Sequence, residues 1–263
     1  MAVTDERDTY TFGDDDAAGR RLARLAALYD AETRALVARA IARPPALALD
    51  LGCGPGWSTR LVHDVAGAIR TVGIDASERY VADARRRHPA LEFLVADIAS
   101  ALPIGGADLI LARFLLTHLA RPDRALAAWA SAAASGCRLA LHETEGLTSE
   151  HPALTRYYEL VGALQAHHGQ ALYIGALLDG TLAATPWCVI DSRALELHQP
   201  AAAMAELHVA NLRTWRNDPF ARDTFDPQEL DALDAALDAL ASGRDTAPPV
   251  RNIARQIIAT LER

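Results

Sequence analysis

Residues 46–57 read A-L-A-L-D-L-G-C-G-P-G-W, and this stretch decides the fold class of the chain. A short apolar run ends at Asp50 and breaks at once into three glycines spaced G-x-G-x-G, which is typical of a buried parallel strand that enters a tight loop. Gly52, Gly54 and Gly56 permit positive φ, and their lack of a Cβ lets backbone N–H groups approach a bound molecule. The pattern therefore predicts a ligand site at this loop.

A dinucleotide-binding loop is the main rival interpretation, and it requires G-x-G-x-x-G with a third glycine where helix and strand pack closely. The large side chain of Trp57 stands at that position. Asp50, at the strand tip, would repel a pyrophosphate but could face a cationic ligand. The loop thus favours a sulfonium nucleotide over NAD, while a glycine-rich turn that holds no ligand stays open as the alternative.

The loop sequence D-L-G-C-G-P-G, residues 50–56, resembles motif I of the class I S-adenosylmethionine (SAM) dependent methyltransferases. The resemblance implies that SAM is the methyl donor and that S-adenosylhomocysteine (SAH) is the product. It covers about residues 10–145 with specific motifs, and the remainder of the chain only weakly.

Short apolar runs alternate with helical patterns through the first half of the chain. This alternation predicts a doubly wound, Rossmann-like α/β domain with a mostly parallel sheet of seven strands, the last one antiparallel. Two helical insertions, 146–184 and 197–245, and an N-terminal helical segment within 1–43 are expected to cover the substrate within a single domain, 1–263. The predicted strands are 46–49, 69–74, 91–95, 107–112, 136–141, 187–192 and 250–261.

Polar residues follow several predicted strands on the side where ligands gather in open α/β sheets. Asp75 lies 19 residues after the last loop glycine, where a carboxylate can accept both ribose hydroxyls, and Ala76 begins the next loop. The resemblance implies that Asp97 and Ile98 bind adenine, although Asp97 could instead cap a helix. Arg113 ends the fourth strand, whose carbonyl groups are expected beside the methionine moiety.

The N-terminal segment is similar to a group of small-molecule methyltransferases that carry Y-x-x-G followed by R-L on a helix. The matching residues are Tyr10, Gly13, Arg21 and Leu22, the last two within a helical pattern over 19–41. In such relatives the segment closes over the cofactor, which implies that Tyr10 and Arg21 contact the methionine end of SAM or the substrate. A surface helix with ordinary arginines is the alternative.

Methyl transfer from a sulfonium is an in-line displacement, so its main requirement is positioning. A hydroxyl or protonated amine acceptor would add a need for a general base. Glu143 and His142 follow the fifth predicted strand on alternate faces, and Glu143 is preferred because it matches a position that is often acidic in the relatives. His168, in the first insertion, is a third candidate. Structural roles for all three, and a packed structural His118, are the alternatives.

The bulk composition limits the partners that the chain can take. The 263 residues carry a net charge of −8 with acids and bases interspersed, so no broad cationic surface is available and nucleic acid is not expected as a partner. The acidic N-terminus and the absence of a long apolar run predict a cytoplasmic protein without membrane attachment. Three cysteines without metal-site spacing predict reduced, structural thiols and no metal.

These patterns together predict an enzyme that transfers a methyl group from SAM to O, N or C of a small organic molecule, as in natural-product biosynthesis. A SAM-binding or SAH-binding regulator without catalysis is a second hypothesis, because fold alone does not fix function. A tRNA or protein methyltransferase is a third. The leucine-rich insertions could also supply the surface of a homodimer.

Overall fold

One mixed sheet of seven strands organises the protein, for which the computed structural model describes residues 16–261. The strand order is β3-β2-β1-β4-β5-β7-β6, with β1 to β5 parallel and β7 antiparallel to both of its neighbours. The predicted doubly wound, mostly parallel sheet is therefore confirmed. The strands are β1 Leu47–Leu51, β2 Arg70–Asp75, β3 Glu92–Val95, β4 Ala107–Arg113, β5 Ala133–Thr148, β6 Trp187–Gln199 and β7 Val250–Leu261.

Helices cover both faces of the parallel strands, which explains why every residue of β1 is buried. One short 3₁₀ turn, Leu116–His118, follows β4, and a second, Ile174–Leu177, precedes α7. The helices are α1 Asp16–Leu28, α2 Asp30–Ala40, α3 Trp57–Ala66, α4 Glu78–Arg87, α5 Pro122–Ala132, α6 Pro152–His167, α7 Leu178–Ala183, α8 Ala201–Trp215, α9 Pro219–Thr224 and α10 Pro227–Ala241.

The N-terminal helical pattern divides into α1 and α2 at Tyr29, where the sequence predicts one continuous helix. Tyr29 has φ −120° and ψ 17° and its side chain is buried. Its hydroxyl accepts a hydrogen bond of 2.7 Å from the Asn252 amide on β7, and its ring packs edge-on against Phe114 at 4.8 Å between centroids. These contacts to the sheet hold Tyr29 out of helical geometry and set the angle between the two helices.

Strands β5 and β6 extend well beyond their predicted ends, because both pair with β7 along its length. β5 pairs with β7 out to Thr148, and β6 pairs with it out to Gln199. The polar segment after Leu141 is therefore strand, stabilised in part by the Arg255–Glu145 ion pair at 2.7 Å. The prediction that this segment forms a strand tip is wrong, and the second helical insertion begins only after β6.

The two insertions pack on one another and on α1. Buried apolar residues from α6, α8 and α10 form one cluster, and Leu25 and Leu28 of α1 pack against it. The cluster includes Leu164, Trp215 and Leu237, which are all at most 1% exposed. The two insertions thus share one hydrophobic core. That they cover the substrate stays a prediction.

We expect Gly175→Ala to lower the free energy of unfolding by about 1–3 kcal/mol, as overpacking does. An added Cβ would lie 2.7 Å from the Thr144 carbonyl oxygen of β5. Gly180→Ala in α7 is the matched control: its Cβ would meet nothing within 4 Å, and the better helix propensity of alanine should stabilise by about 0.5–1 kcal/mol. Urea unfolding measures both, and equal destabilisation would contradict the packing of this turn on β5.

Candidate active site

The glycine loop has the conformation that its sequence predicts. Gly52, Gly54 and Gly56 have φ of 65°, 51° and 87°, a region that side chains rarely adopt. The Gly52 N–H donates to the Ile74 carbonyl oxygen at 2.8 Å, which ties the loop to the end of β2. Gly52 and Gly54 line a cavity, whereas Gly56 gives room for packing, since a Cβ there would lie 3.0 Å from the Phe93 ring.

Asp50 does not line the cavity. Its carboxylate is 1% exposed and accepts hydrogen bonds from the Ser58 and Thr59 hydroxyls, both at 2.7 Å. Burial raises its pKa to about 6, and the two hydroxyl donors act in the opposite direction. The sequence predicts that Asp50 could face a cationic ligand. Instead, the three side chains bond to each other and fix the first turn of α3 against β1.

Asp75 lies at the end of β2 and lines the cavity with Ala76. One carboxylate oxygen accepts the Gly54 N–H at 2.8 Å and the other accepts the Ser77 N–H at 2.9 Å. The residue that is predicted to bind ribose therefore also holds the glycine loop in place.

Asp97 and Ile98 follow β3 and line the same cavity, as the resemblance implies. Ile98 is buried, while Asp97 is exposed and accepts the Ala99 N–H at 2.8 Å. The alternative, that Asp97 caps a helix, is wrong, because a turn and not a helix follows it. Its carboxylate closes a local turn, and it stands at the rim where an adenine ring is expected.

The cavity has a volume of about 780 Å³, within the usual range for small-molecule sites. It runs from the glycine loop into a space beneath α1, α6 and α8. We call these three helices the helical cover and the space beneath them the lid chamber. The lid chamber is lined by Arg21, Leu25, Tyr157, Tyr158, Val161, Gln165, Leu172, Met204, Leu207, His208 and Asn211.

Arg21 of the N-terminal segment lines this cavity, as do Leu22, Leu25 and Tyr29. The predicted Tyr10 contact lies outside the described residues. The Arg21 side chain is buried, at 8% exposure. Burial, together with the positive charge of Arg21, lowers the pKa of both His118 and His208 to about 3. Both imidazoles are therefore neutral at physiological pH.

Arg113 ends β4, as predicted, and it lines the cavity. Its guanidinium donates to the Thr33 hydroxyl at 3.3 Å, and burial lowers its pKa while the Asp50 charge opposes this. The next residue, Phe114, has φ 50°, which is unusual for a bulky side chain and marks a constrained position. Sequence reasoning missed Phe114, because no residue pattern distinguishes this backbone conformation.

Glu143 lies inside β5 and does not line the cavity. It is fully buried, and one carboxylate oxygen accepts the N–H groups of Leu115 and Leu116, each at 2.8 Å. Burial raises its pKa to about 8, although these backbone donors act in the opposite direction. The geometry gives Glu143 the task of holding the turn after β4, so we do not assign it the role of general base.

The two histidine candidates also lie outside the cavity lining. His142 is fully buried with Nδ1 3.3 Å from the Thr33 hydroxyl, and burial lowers its pKa to about 3. His168 is exposed and lies 3.0 Å from Asp218 at the start of α9. Neither position supports direct contact with a substrate beneath the cover.

His208 and Tyr157 are two lid-chamber side chains whose pKa values bear on proton transfer. His208 has a pKa near 3, and burial raises the pKa of Tyr157 to about 12. Neither group exchanges a proton readily near pH 7, which is what a general base must do. We therefore assign neither side chain the role of a general base.

Metal sites and membrane-spanning helices are not found among the described residues, 16–261. No group of three or more His, Cys, Asp or Glu side chains is placed to hold a metal ion in this part of the chain. No described helix combines the length and apolar character that crossing a bilayer requires.

Comparison with known proteins gives the same class as the fold and the loop. A family model described as a methyltransferase domain matches residues 48–136. A trans-aconitate 2-methyltransferase of Methylobacterium radiotolerans is 31% identical over 230 residues, which cover 85% of this chain and 87% of that protein. A trans-aconitate 2-methyltransferase of Methylobacterium nodulans is 36% identical over 121 residues, 46% of this chain and 47% of that protein.

Solved structures show the same fold at low sequence identity. The structure of a Bacillus halodurans protein has a TM-score of 0.60 at 12% identity, and the match covers 89% of this chain and 100% of that chain. A geranyl diphosphate methyltransferase in complex with SAM has a TM-score of 0.55 at 14% identity, and the match covers 95% of this chain and 94% of that chain. The chain belongs to the class I SAM-dependent methyltransferases, which confirms the resemblance in residues 50–56. The finer resemblance of the N-terminal segment stays a prediction.

We expect Gly54→Val to weaken SAH binding at least about 100-fold, because its side chain would fill the cavity beside Asp75. Gly67→Val is the matched control, since Gly67 also has a left-handed φ of 59° but lies at the far end of α3, outside the lining. Asp75→Ala should weaken binding as well. Isothermal titration with SAH measures all three, and equal loss in both glycine variants would point to backbone strain instead of an occupied site.

We expect Glu143→Gln to remove a pH dependence of stability. The pKa of Glu143 lies near 8 in the folded protein and near 4.5 in the unfolded chain, so the folded state binds the extra proton. As the pH rises from 5 to 8, the free energy of unfolding of the wild type should therefore fall by on the order of 3 kcal/mol. The variant should not show this fall. Urea unfolding across this range gives the difference. A kcat that falls about 100-fold or more in the variant would instead support a general base.

Proposed function

We propose that this enzyme methylates a carboxylate oxygen of a small organic acid that is bound in the lid chamber. The observation that carries the proposal is the continuous cavity, which joins the glycine loop to a buried guanidinium, Arg21, beneath the helical cover. The remaining described side chains of the lid chamber are apolar or neutral.

The residues at the glycine loop fit SAM as the donor. Gly52 and Gly54 present backbone without a Cβ, Asp75 offers carboxylate oxygens at the ribose position, and Asp97 with Ile98 stands at the adenine position. When bound, SAM supplies an electrophilic methyl group on a sulfonium. Transfer to a carboxylate oxygen forms an ester, breaks the sulfur–carbon bond and leaves neutral SAH, with no proton to remove.

The charge of Arg21 favours an anionic acceptor. A guanidinium is charged at all accessible pH values and pairs with carboxylates through two parallel hydrogen bonds. The Arg21 side chain is only 8% exposed, so water screens its charge less than it would at the surface. Arg21 would bind and orient the acid from the lid side.

The chamber chemistry favours an acceptor that is already ionised. A carboxylate at pH 7 is a nucleophile without the help of a base, whereas a phenol or an ammonium group must first lose a proton. His208 and Tyr157, with pKa values of about 3 and about 12, are poorly matched to that proton transfer. Positioning and removal of water would then supply the rate enhancement.

The relatives support the same acceptor chemistry. Two of them are named trans-aconitate 2-methyltransferases, and trans-aconitate is an unsaturated tricarboxylic acid. This supports a carboxylate as the methylated group and leaves the identity of the acid in this chain to experiment.

We expect the wild type to form methyl esters from organic acids and not from phenols or amines of similar size. Arg21→Met should raise KM for the accepted acid roughly 30-fold or more, because losing a buried charge partner costs about 2–5 kcal/mol. SAH affinity should stay within about threefold, which separates an acid-binding role from a role at the methionine end of SAM.

Arg20→Met is the matched control, since Arg20 is the exposed neighbour on α1 and carries the same charge. Release of SAH, with mass spectrometry of the product, measures turnover on trans-aconitate, citrate, adipate and hexanoate. Turnover of phenols or amines without any acid would overturn the proposal. Equal effects of the two arginine variants would remove Arg21 from it.

A further inference from the structure

Gln165 is a buried glutamine whose amide has no hydrogen-bond partner in the structure. Its side chain lies on α6, is 1% exposed and lines the cavity. Both the Nε2 and Oε1 atoms are buried and unpaired. Most buried polar groups in folded proteins are paired, so an amide that is unpaired at both atoms, on a side chain that lines a cavity, points to a ligand.

Two further lining residues, both on α8, each have one unpaired polar atom. His208 Nδ1 and Asn211 Oδ1 are buried without a partner. The His208 ring is fixed in place, since its Nε2 lies 3.2 Å from the Tyr158 hydroxyl and the ring stacks on Tyr157 at 4.2 Å. We call Gln165, His208 and Asn211 the polar patch.

The polar patch is neutral and presents both donors and acceptors. Glutamine and asparagine carry no charge, and the His208 imidazole is neutral because burial lowers its pKa to about 3. A second carboxylate on the ligand would be favoured by a cation, and Arg21 is the one cation among the described residues of the lid chamber. A group that donates as well as accepts hydrogen bonds is the better complement to an amide with both functions.

We propose that the polar patch is a specificity site for a second, neutral polar group of the acceptor, an amide or a hydroxyl. The inference rests on the proposed function, in which Arg21 binds the carboxylate to be methylated. Leu172, Met204 and Leu207 also line the lid chamber, which suits an acceptor with an apolar body between its two polar ends. The substrate class is an organic acid with an amide or hydroxyl at the far end of a short apolar body.

The first arm of the test measures thermal stability and needs no substrate. Gln165→Met keeps the size of the side chain and removes an unpaired amide, so the melting temperature should rise by about 2–4 °C. Gln256→Met is the matched control. Gln256 is fully buried on β7, but its amide donates to the Glu32 carbonyl at 2.9 Å and accepts from Arg39 at 2.9 Å. This variant should lower the melting temperature, because it breaks satisfied hydrogen bonds.

The second arm measures binding without turnover. With SAH saturating, adipamate, the monoamide of adipate, should raise the melting temperature of the wild type more than hexanoate or adipate does. That preference should disappear in Gln165→Met, and the affinity for hexanoate should change less than about twofold. The control Gln256→Met should keep the preference for adipamate.

Each outcome decides the inference separately from the proposed function. Equal destabilisation by the two glutamine variants would show that Gln165 is satisfied within the fold and would overturn the inference. The same result follows if wild type and Gln165→Met respond identically to adipamate and hexanoate. A preference for adipamate without formation of any methyl ester would support the polar patch and refute carboxylate methylation.

Discussion

Three glycines in the left-handed region, with a buried carboxylate behind them, determine where β1 ends and where α3 begins. Gly56 starts α3 at φ 87°, and a side chain there would lie against the Phe93 ring of β3. Asp50 fixes the first turn through two hydroxyls, while Asp75 binds the loop from β2. Contacts from β1 and β2 therefore fix the conformation of the loop, as a site that works by positioning requires. The conspicuous acid of the motif, Asp50, serves this geometry and does not reach the cavity.

The last strand controls the opposite side of the site. β7 pairs with both β5 and β6 and converts them into long antiparallel strands. From β7, Asn252 donates to Tyr29 and so sets the break between α1 and α2. Because α1 carries Arg21 into the lid chamber, residues near the end of the chain determine where an N-terminal cation lies. The cover and the sheet are joined through this contact, and the geometry of the chamber depends on both.

The local sequence was sufficient to place most of the residues that are predicted to bind the cofactor, and it was insufficient for the lid chamber. The glycine loop, Asp75 and Asp97 sit at strand ends whose position follows from short apolar runs and turn residues. His142 and Glu143 looked like a strand tip because the segment is polar, and only pairing with the distant β7 shows that it continues as strand. Gln165 and Asn211 read as ordinary polar residues of helices. Their burial arises from the packing of α6, α8 and α1 around one cavity, which no spacing within either helix reveals.

A carboxylate acceptor changes what this site must do. Because the nucleophile is already ionised, no residue has to match its pKa to the reaction, and many small acids are equally reactive. Selectivity then has to come from binding, and buried polar groups that only the correct ligand satisfies are an effective means of rejecting analogues. Unpaired buried groups of this kind cost stability in the free protein, a common compromise where a binding site is built. On this view, the neutral histidines, the single guanidinium and the unpaired glutamine belong to one arrangement, in which Arg21 selects for charge and the polar patch for shape and hydrogen bonding.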